Sequence, residues 1–145
     1  MPISITDQNI QALAPSVRSS YRQGFGQAQD VLARFQISDN ALRVAHFMAQ
    51  VLQESGGLTL QFENLNYSAQ RLPVVWPNRF QPKGPLDPAQ FAHNPEKLAD
   101  EVYGGEMGNT ALGDGWMYRG RGLIQITGKG EYAAVTATLR ETFSA

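Results

Sequence analysis

Cysteine is absent from the 145 residues, so no disulfide staples the fold and no thiolate can ligate a metal. Histidine is scarce: His46 and His93 lie in different segments. His46 stands one helical turn from Gln50, as a hydrogen-bonded core or boundary residue would, and no metal site is supported. Neither sign of charge is in excess. The 12 Lys and Arg against 13 Asp and Glu leave a net charge of −1, which gives no overall pull toward nucleic acid or an anionic membrane surface. No apolar run approaches the ~20 residues that span a bilayer, so no stable membrane insertion is expected. The opening MPISITDQNI has neither the basic nor the apolar part of a secretory signal.

What is present is the composition of an ordinary soluble globular protein, with 42% hydrophobic and 17% charged residues. A chain of this length is most simply one domain, 1–145, able to bury roughly two-thirds of the surface it exposes when unfolded. No internal repeat or low-complexity tract interrupts it.

The chain is organised around the stretch from Ser38 to Asn66. Ser38-Asp39-Asn40 offers short polar side chains to the first unpaired amides of a helix. The run Ala41 to Leu52 that follows is apolar except at Arg43, His46 and Gln50, which predicts a buried central helix. It closes on Glu54, before Ser55 and the pair Gly56-Gly57, which suits a left-handed helix cap. A carboxyl at the carboxyl end of a buried helix is expected to favour its protonated form, through desolvation and the helix dipole. Glu63 stands nine residues on, in the polar stretch Gln61-Phe62-Glu63-Asn64-Leu65-Asn66. One protonated and one ionised carboxyl is the arrangement that acid–base hydrolysis needs. A glutamate in a last helical turn is ordinarily just solvated, and two glutamates within ten residues are commonplace. What singles out Glu54 is its misfit: Lys or Arg would suit that helix end better.

Along the rest of the chain, Thr6 can cap a short helix over 6–14. Val17, Tyr21, Ala28, Val31, Leu32 and Phe35 recur at helical spacing, with a break possible at Gly24 and Gly26. Ser68 can cap a short helix carrying Leu72, Val75 and Trp76. Residues 73–95 form a proline-rich loop anchored by Trp76, Phe80 and Phe91. Asp87-Pro88 and Asn94-Pro95 each place a polar cap before a proline at the first helical position; the second predicts a helix through Leu98, Ala99, Val102 and Tyr103, stopped at Gly104-Gly105. Leu123 to Thr127, LIQIT, has the alternation of a strand, which would point Gln125 and Thr127 the same way. A final helix is expected from Glu131, carrying Ala134, Val135 and Leu139.

Two glycine clusters, Gly120-Arg121-Gly122 and Gly128-Lys129-Gly130, complete neither GxGxxG nor GxxxxGK[ST], so no phosphate loop and no nucleotide cofactor is called for. Asn66-Tyr67-Ser68 fits a glycosylation pattern but, without a secretory signal, is best read as a polar loop and helix cap. Trp76, Trp116, Tyr67 and Tyr118 can stack on sugar rings or plug a core.

Four ordered blocks then carry a resemblance: AHFMAQVLQESGG, FENLNYSAQRL, NPEKLADEVYGGEMGN and GDGWMYRGRGLIQITGKGEY. Over roughly residues 40–135 the chain resembles glycoside hydrolase family 19, and within it the phage endolysin branch, whose relatives include plant and bacterial chitinases. The resemblance implies a mainly helical, lysozyme-like fold of two lobes with a small sheet beside the cleft. It also implies cleavage of β-1,4 bonds next to N-acetylated sugars, with inversion. By position, Glu54 matches the general acid and Glu63 the general base that activates water on the opposite face of the sugar. Thr127 matches a residue that helps hold the water, and Gln125 one that contacts the sugar. Asn66, Tyr67, Tyr118 and Arg121 fall in the matching motifs as further cleft contacts, although Arg119 and Arg121 equally fit a structural role, pairing with carboxylates.

Three departures from the family pattern stand out: Gln53 where a histidine commonly precedes the acid, Glu131 where an asparagine often precedes the tyrosine, and an end at Ala145 where relatives continue, so that an incomplete second lobe is expected. The function implied is a monomeric peptidoglycan hydrolase, a muramidase-type endolysin of phage-mediated or antagonistic cell lysis. It would be made in a bacterial cytoplasm and reach the periplasmic wall through a holin or a secretion system. Two rivals are a chitinase acting on chitin oligomers and a non-catalytic glycan-binding remnant of the same fold.

Overall fold

The computed structural model describes residues 2–143. They are mainly helical, in the order α1 (Asp7–Leu13), α2 (Ser19–Gln27), α3 (Gln29–Arg34), α4 (Ala41–Glu54), α5 (Leu72–Val75), α6 (Pro95–Tyr103), α7 (Asp114–Met117) and α8 (Lys129–Phe143). The chain packs as two compact units. One runs to Gln61 and takes in Gly122–Ile124; the other holds Phe62–Arg121 and the residues from Gln125 on.

In the first unit Thr6 and Asn9 form a reciprocal cap on α1: the Asn9 amide donates to Thr6 Oγ1 and the Thr6 amide to Asn9 Oδ1. The next helical segment breaks at Ala28, not at Gly24 or Gly26. Asn40 caps α4, accepting from the Arg43 amide at 3.0 Å. Gly56 and Gly57, at φ 56° and 70°, turn the chain at the other end, and the Gly57 amide donates to the Leu52 carbonyl. Ile5, Ile10, Phe25, Leu32, Met48 and Leu58 form the core.

The central helix α4 is not buried all round, contrary to what its apolar run predicts. Only Met48 and Val51 of this helix are buried, while Ala41, Leu42, Ala45, His46, Ala49 and Gln50 are exposed. Apolar composition marks a helix that can be buried; actual burial needs a partner on each side, and α4 meets its core along one stripe. Its alanine side instead borders a cavity of about 380 Å³ reached by Ile3 and Leu13.

The second unit is built on the two proline-capped starts. Asp87 accepts from the Ala89 amide and Asn94 from the Lys97 amide, so the chain enters a 3-10 turn and then α6 with its first donors satisfied. α6 buries Leu98, Ala99 and Val102 against Leu65, Leu72, Phe80 and Phe91. Phe80 and Phe91 meet edge to face, with ring centroids 5.3 Å apart, which anchors the proline-rich loop. α7 was not foreseen; it crosses α6 at close range because Gly115 has no side chain to hold the backbones apart. The start of α8 is tied down by the Lys129 amide on Asn109 Oδ1 and by Lys129 Nζ on Asp114 Oδ2, yet α8 buries none of its residues.

The strand expected at Leu123–Thr127 does not form. Gly122 and Gln125 take φ of 76° and 53°, so the backbone turns where alternation needs it extended. Arg121 and Ile126 close that turn by exchanging both of their amide–carbonyl bonds, at 3.1 and 3.0 Å. Among the described residues the sheet is reduced to isolated bridges, Phe62 with Arg121 and Arg121 with Ile126 beside the turn, and Phe80 with Leu86 in the loop.

Candidate active site

The second unit assembles a cluster around Glu63. The Phe62–Arg121 bridge aligns the two segments, and the Glu63 amide donates to the Gly120 carbonyl at 3.0 Å. The Gly120 amide donates back to Glu63 Oε1 at 2.5 Å. Tyr103, the last residue of α6, donates from its hydroxyl to Glu63 Oε2 at 2.7 Å. Both carboxylate oxygens are thus fixed by neutral donors.

Gln125 and Thr127 reach the same place. A Cβ placed on Gly120 would stand 2.8 Å from Gln125 Oε1, 3.2 Å from Thr127 Oγ1 and 3.3 Å from Glu63 Oε1. The left-handed turn at Gln125, not strand alternation, brings them together. The Thr127 hydroxyl donates to the Gln125 carbonyl at 3.0 Å, which tightens the turn.

Tyr103 is held in turn. Its ring packs against the second core, and Asn109, buried to 1% exposure, donates from Nδ2 to the Tyr103 carbonyl. Burial first, then the hydrogen bond and charge of Glu63, push the phenol well above its ordinary range. It therefore remains a donor.

Arg119 and Arg121 line the cluster through rings. The Arg119 guanidinium lies 3.5 Å from the Trp116 ring centroid and 4.7 Å from that of Phe62, and donates to the Trp116 carbonyl. Burial, then the charge of Arg121, lowers the pKa of Arg119 from its ordinary value. Arg121 lies near the Phe62 and Tyr132 rings, and its Nε is buried without a hydrogen-bond partner.

The remaining candidates sit differently. Tyr67 packs edge to face on Trp76, centroids 5.2 Å apart, as part of the second core's surroundings. Asn66 is exposed and its Oδ1 lies 2.9 Å from His93 Nδ1. Tyr118 packs on Tyr132 and borders a cavity of about 450 Å³ beside α8.

Glu54 belongs to the first unit. It ends α4 as expected but is exposed, where a buried helix end was expected. Gln50, one turn earlier, donates from Nε2 to Glu54 Oε1 at 2.8 Å. His46, expected at a core or boundary, is also exposed.

Tyr103, Gly120 and Gln50 were not among the residues expected to act here. Gln50 was readable from its i, i+4 spacing to Glu54. Tyr103 and Gly120 touch Glu63 only through long-range packing, which no local pattern reports.

No protein-family model matches the chain. The chain is similar to a glycosyl hydrolase family 19 domain-containing protein of Haemophilus influenzae, 45% identical over 97 residues, which are 66% of this chain and 48% of the relative. The chain therefore spans about half the length of the curated relative it matches.

Proposed function

We propose that this chain is a catalytic region of the family 19 glycoside hydrolase type, acting on peptidoglycan for bacterial cell-wall lysis of the endolysin kind. Support comes from the likeness to a protein named for that domain. The observation that carries the mechanism is a carboxylate, Glu63, clamped on both oxygens with Gln125 and Thr127 gathered beside it.

In this proposal Glu54, protonated, gives its proton to the glycosidic oxygen as the bond from the anomeric carbon to that oxygen breaks. Water attacks the opposite face and passes its proton to Glu63, so the product is inverted. Such a displacement needs the two carboxyls ~6.5–9.5 Å apart when sugar is bound. Thr127 and Gln125 would orient the water and the sugar.

The test is reducing-end release from purified Gram-negative peptidoglycan, wild type beside Glu54→Gln, with mass spectrometry of the fragments. Fragments cut at the glycan bond by wild type alone are expected. Cleavage of chitin oligomers but not peptidoglycan would make the chain a chitinase. Retention on the wall with no release from either would leave a glycan-binding domain.

A further inference from the structure

Glu63 is held beyond its backbone by Tyr103, whose ring packs against the second core. The segment carrying Glu63 is joined to Gly120 at the main chain, which places the Glu63 Cα. The side chain beyond that point has three rotatable bonds, and each oxygen is then captured separately: Oε1 by a main-chain amide, Oε2 by the Tyr103 hydroxyl. A carboxylate bonded on one oxygen still swings about that contact; bonded on both, it is fixed in plane as well as in place.

The second donor comes from a rigid element. Tyr103 ends α6, directly after the buried Val102. Its carbonyl is held by the Asn109 side chain, and the Gly105 amide donates to the Asn109 carbonyl at 2.8 Å. Asn109 also accepts from the Lys129 amide. One buried asparagine thus joins the end of α6 to the start of α8 and leaves the phenol little freedom.

We propose that Tyr103 is a positioning residue for the base of the reaction, fixing Glu63 so that its free lone pairs face the place where Gln125 and Thr127 converge. This rests on the proposed role of Glu63 as base. Tyr103 itself touches neither the water nor the sugar; it acts through the carboxylate. Its hydroxyl must keep its proton to donate, and the carboxylate beside it opposes ionisation of the phenol, which keeps the donor in place.

Two measurements separate this from a purely structural role. The first needs no substrate. Tyrosinate absorbance, followed up to the pH at which the fold opens, should show one late-titrating phenol in wild type. That phenol should be missing in Tyr103→Phe and titrate earlier in Glu63→Gln. No change between wild type and Glu63→Gln would remove the coupling and overturn the proposal. The second is steady-state hydrolysis of soluble peptidoglycan fragments by Tyr103→Phe, which keeps the ring in the core. A fall of about tenfold in kcat with KM within twofold is expected for loss of one charge-assisted bond to the base. An unchanged kcat in an active, folded variant would overturn the positioning role alone. Coupled titration in a wild type that cleaves no glycan would overturn the base assignment on which it stands.

Discussion

Glu63 and Gly120 hold each other twice: the Glu63 amide donates to the Gly120 carbonyl at 3.0 Å, and the Gly120 amide donates to Glu63 Oε1 at 2.5 Å. The glycine is needed for what surrounds it. A methyl group there would come within 2.8 Å of Gln125 Oε1, the far end of a flexible side chain that can swing aside, and 3.2 Å from Thr127 Oγ1. Gly120→Ala should therefore fold, with a stability loss under about 1.5 kcal/mol, while displacing Gln125 from beside the carboxylate. Chemical denaturation and hydrolysis of the same samples check this: near-wild-type stability with turnover down about tenfold is the expected pair. Full activity would mean that Gln125 has no part at the site.

Gly115 makes the contrasting case. Its missing Cβ would stand 2.5 Å from the Ala99 carbonyl oxygen and 2.7 Å from the Asp100 Cα, and backbone in the middle of α6 cannot swing away. Gly115→Ala should force α7 off α6, strain the bond from the Trp116 amide to Asp100 Oδ1, and cost about 1–3 kcal/mol or more. Denaturant midpoints with an unchanged slope would measure it.

Where the fold was legible in the sequence, a local cause was sufficient. Thr6, Asn40, Asp87 and Asn94 each cap the turn they precede, because a cap is decided by three or four neighbouring residues. α6 was readable from its caps and from the spacing of Leu98, Ala99 and Val102. The strand at LIQIT failed because alternation is also compatible with a turn once Gln125 adopts a left-handed conformation. α4 failed differently: its composition says it can be buried, but coverage is a property of what packs on it. The Glu63 cluster divides the same way. Glu63 stood out by its spacing from Glu54, Gln125 and Thr127 by an alternation that the turn replaces, and the resemblance added their roles, while Tyr103, 40 residues from Glu63 in the chain, could be seen only once the fold had brought it there.

Asp114 should make the second unit sensitive to acid. Its side chain, 7% exposed, accepts from the Thr110 and Ala111 amides and from Lys129 Nζ at 3.0 Å. The bond from Ala111 first, then that from Lys129, holds the carboxyl below its ordinary range. A carboxyl depressed on folding adds stability that is complete above the unfolded value, about 4, and disappears as pH falls through the folded one. Lys129 is raised, first by its bond to Asp114, so its contribution holds below its unfolded value of about 10.4 and disappears as pH climbs through the folded one. Melting temperature against pH should fall more gently below about pH 4 in Asp114→Asn than in wild type. Parallel curves would show that the pair adds nothing over the unfolded chain.

Gln50 and Glu54 give the prediction that most sharply separates a helper from an actor. Gln50 Nε2 donates to Glu54 Oε1 at 2.8 Å. If Glu54 is the acid, Gln50 acts on it only as this neighbouring donor, through Oε1. Both residues are exposed, and a bond of this i, i+4 kind adds only about 0.2–0.5 kcal/mol on a helix surface. Gln50→Ala should thus lower kcat no more than about threefold and leave stability within about 0.5 kcal/mol. Glu54→Gln, near-isosteric but without a transferable proton, should abolish turnover in a folded protein, and Glu63→Gln should cost ~100-fold or more. Retained turnover in Glu54→Gln would remove it as the acid. A tenfold loss in Gln50→Ala would mean that Gln50 itself meets the sugar.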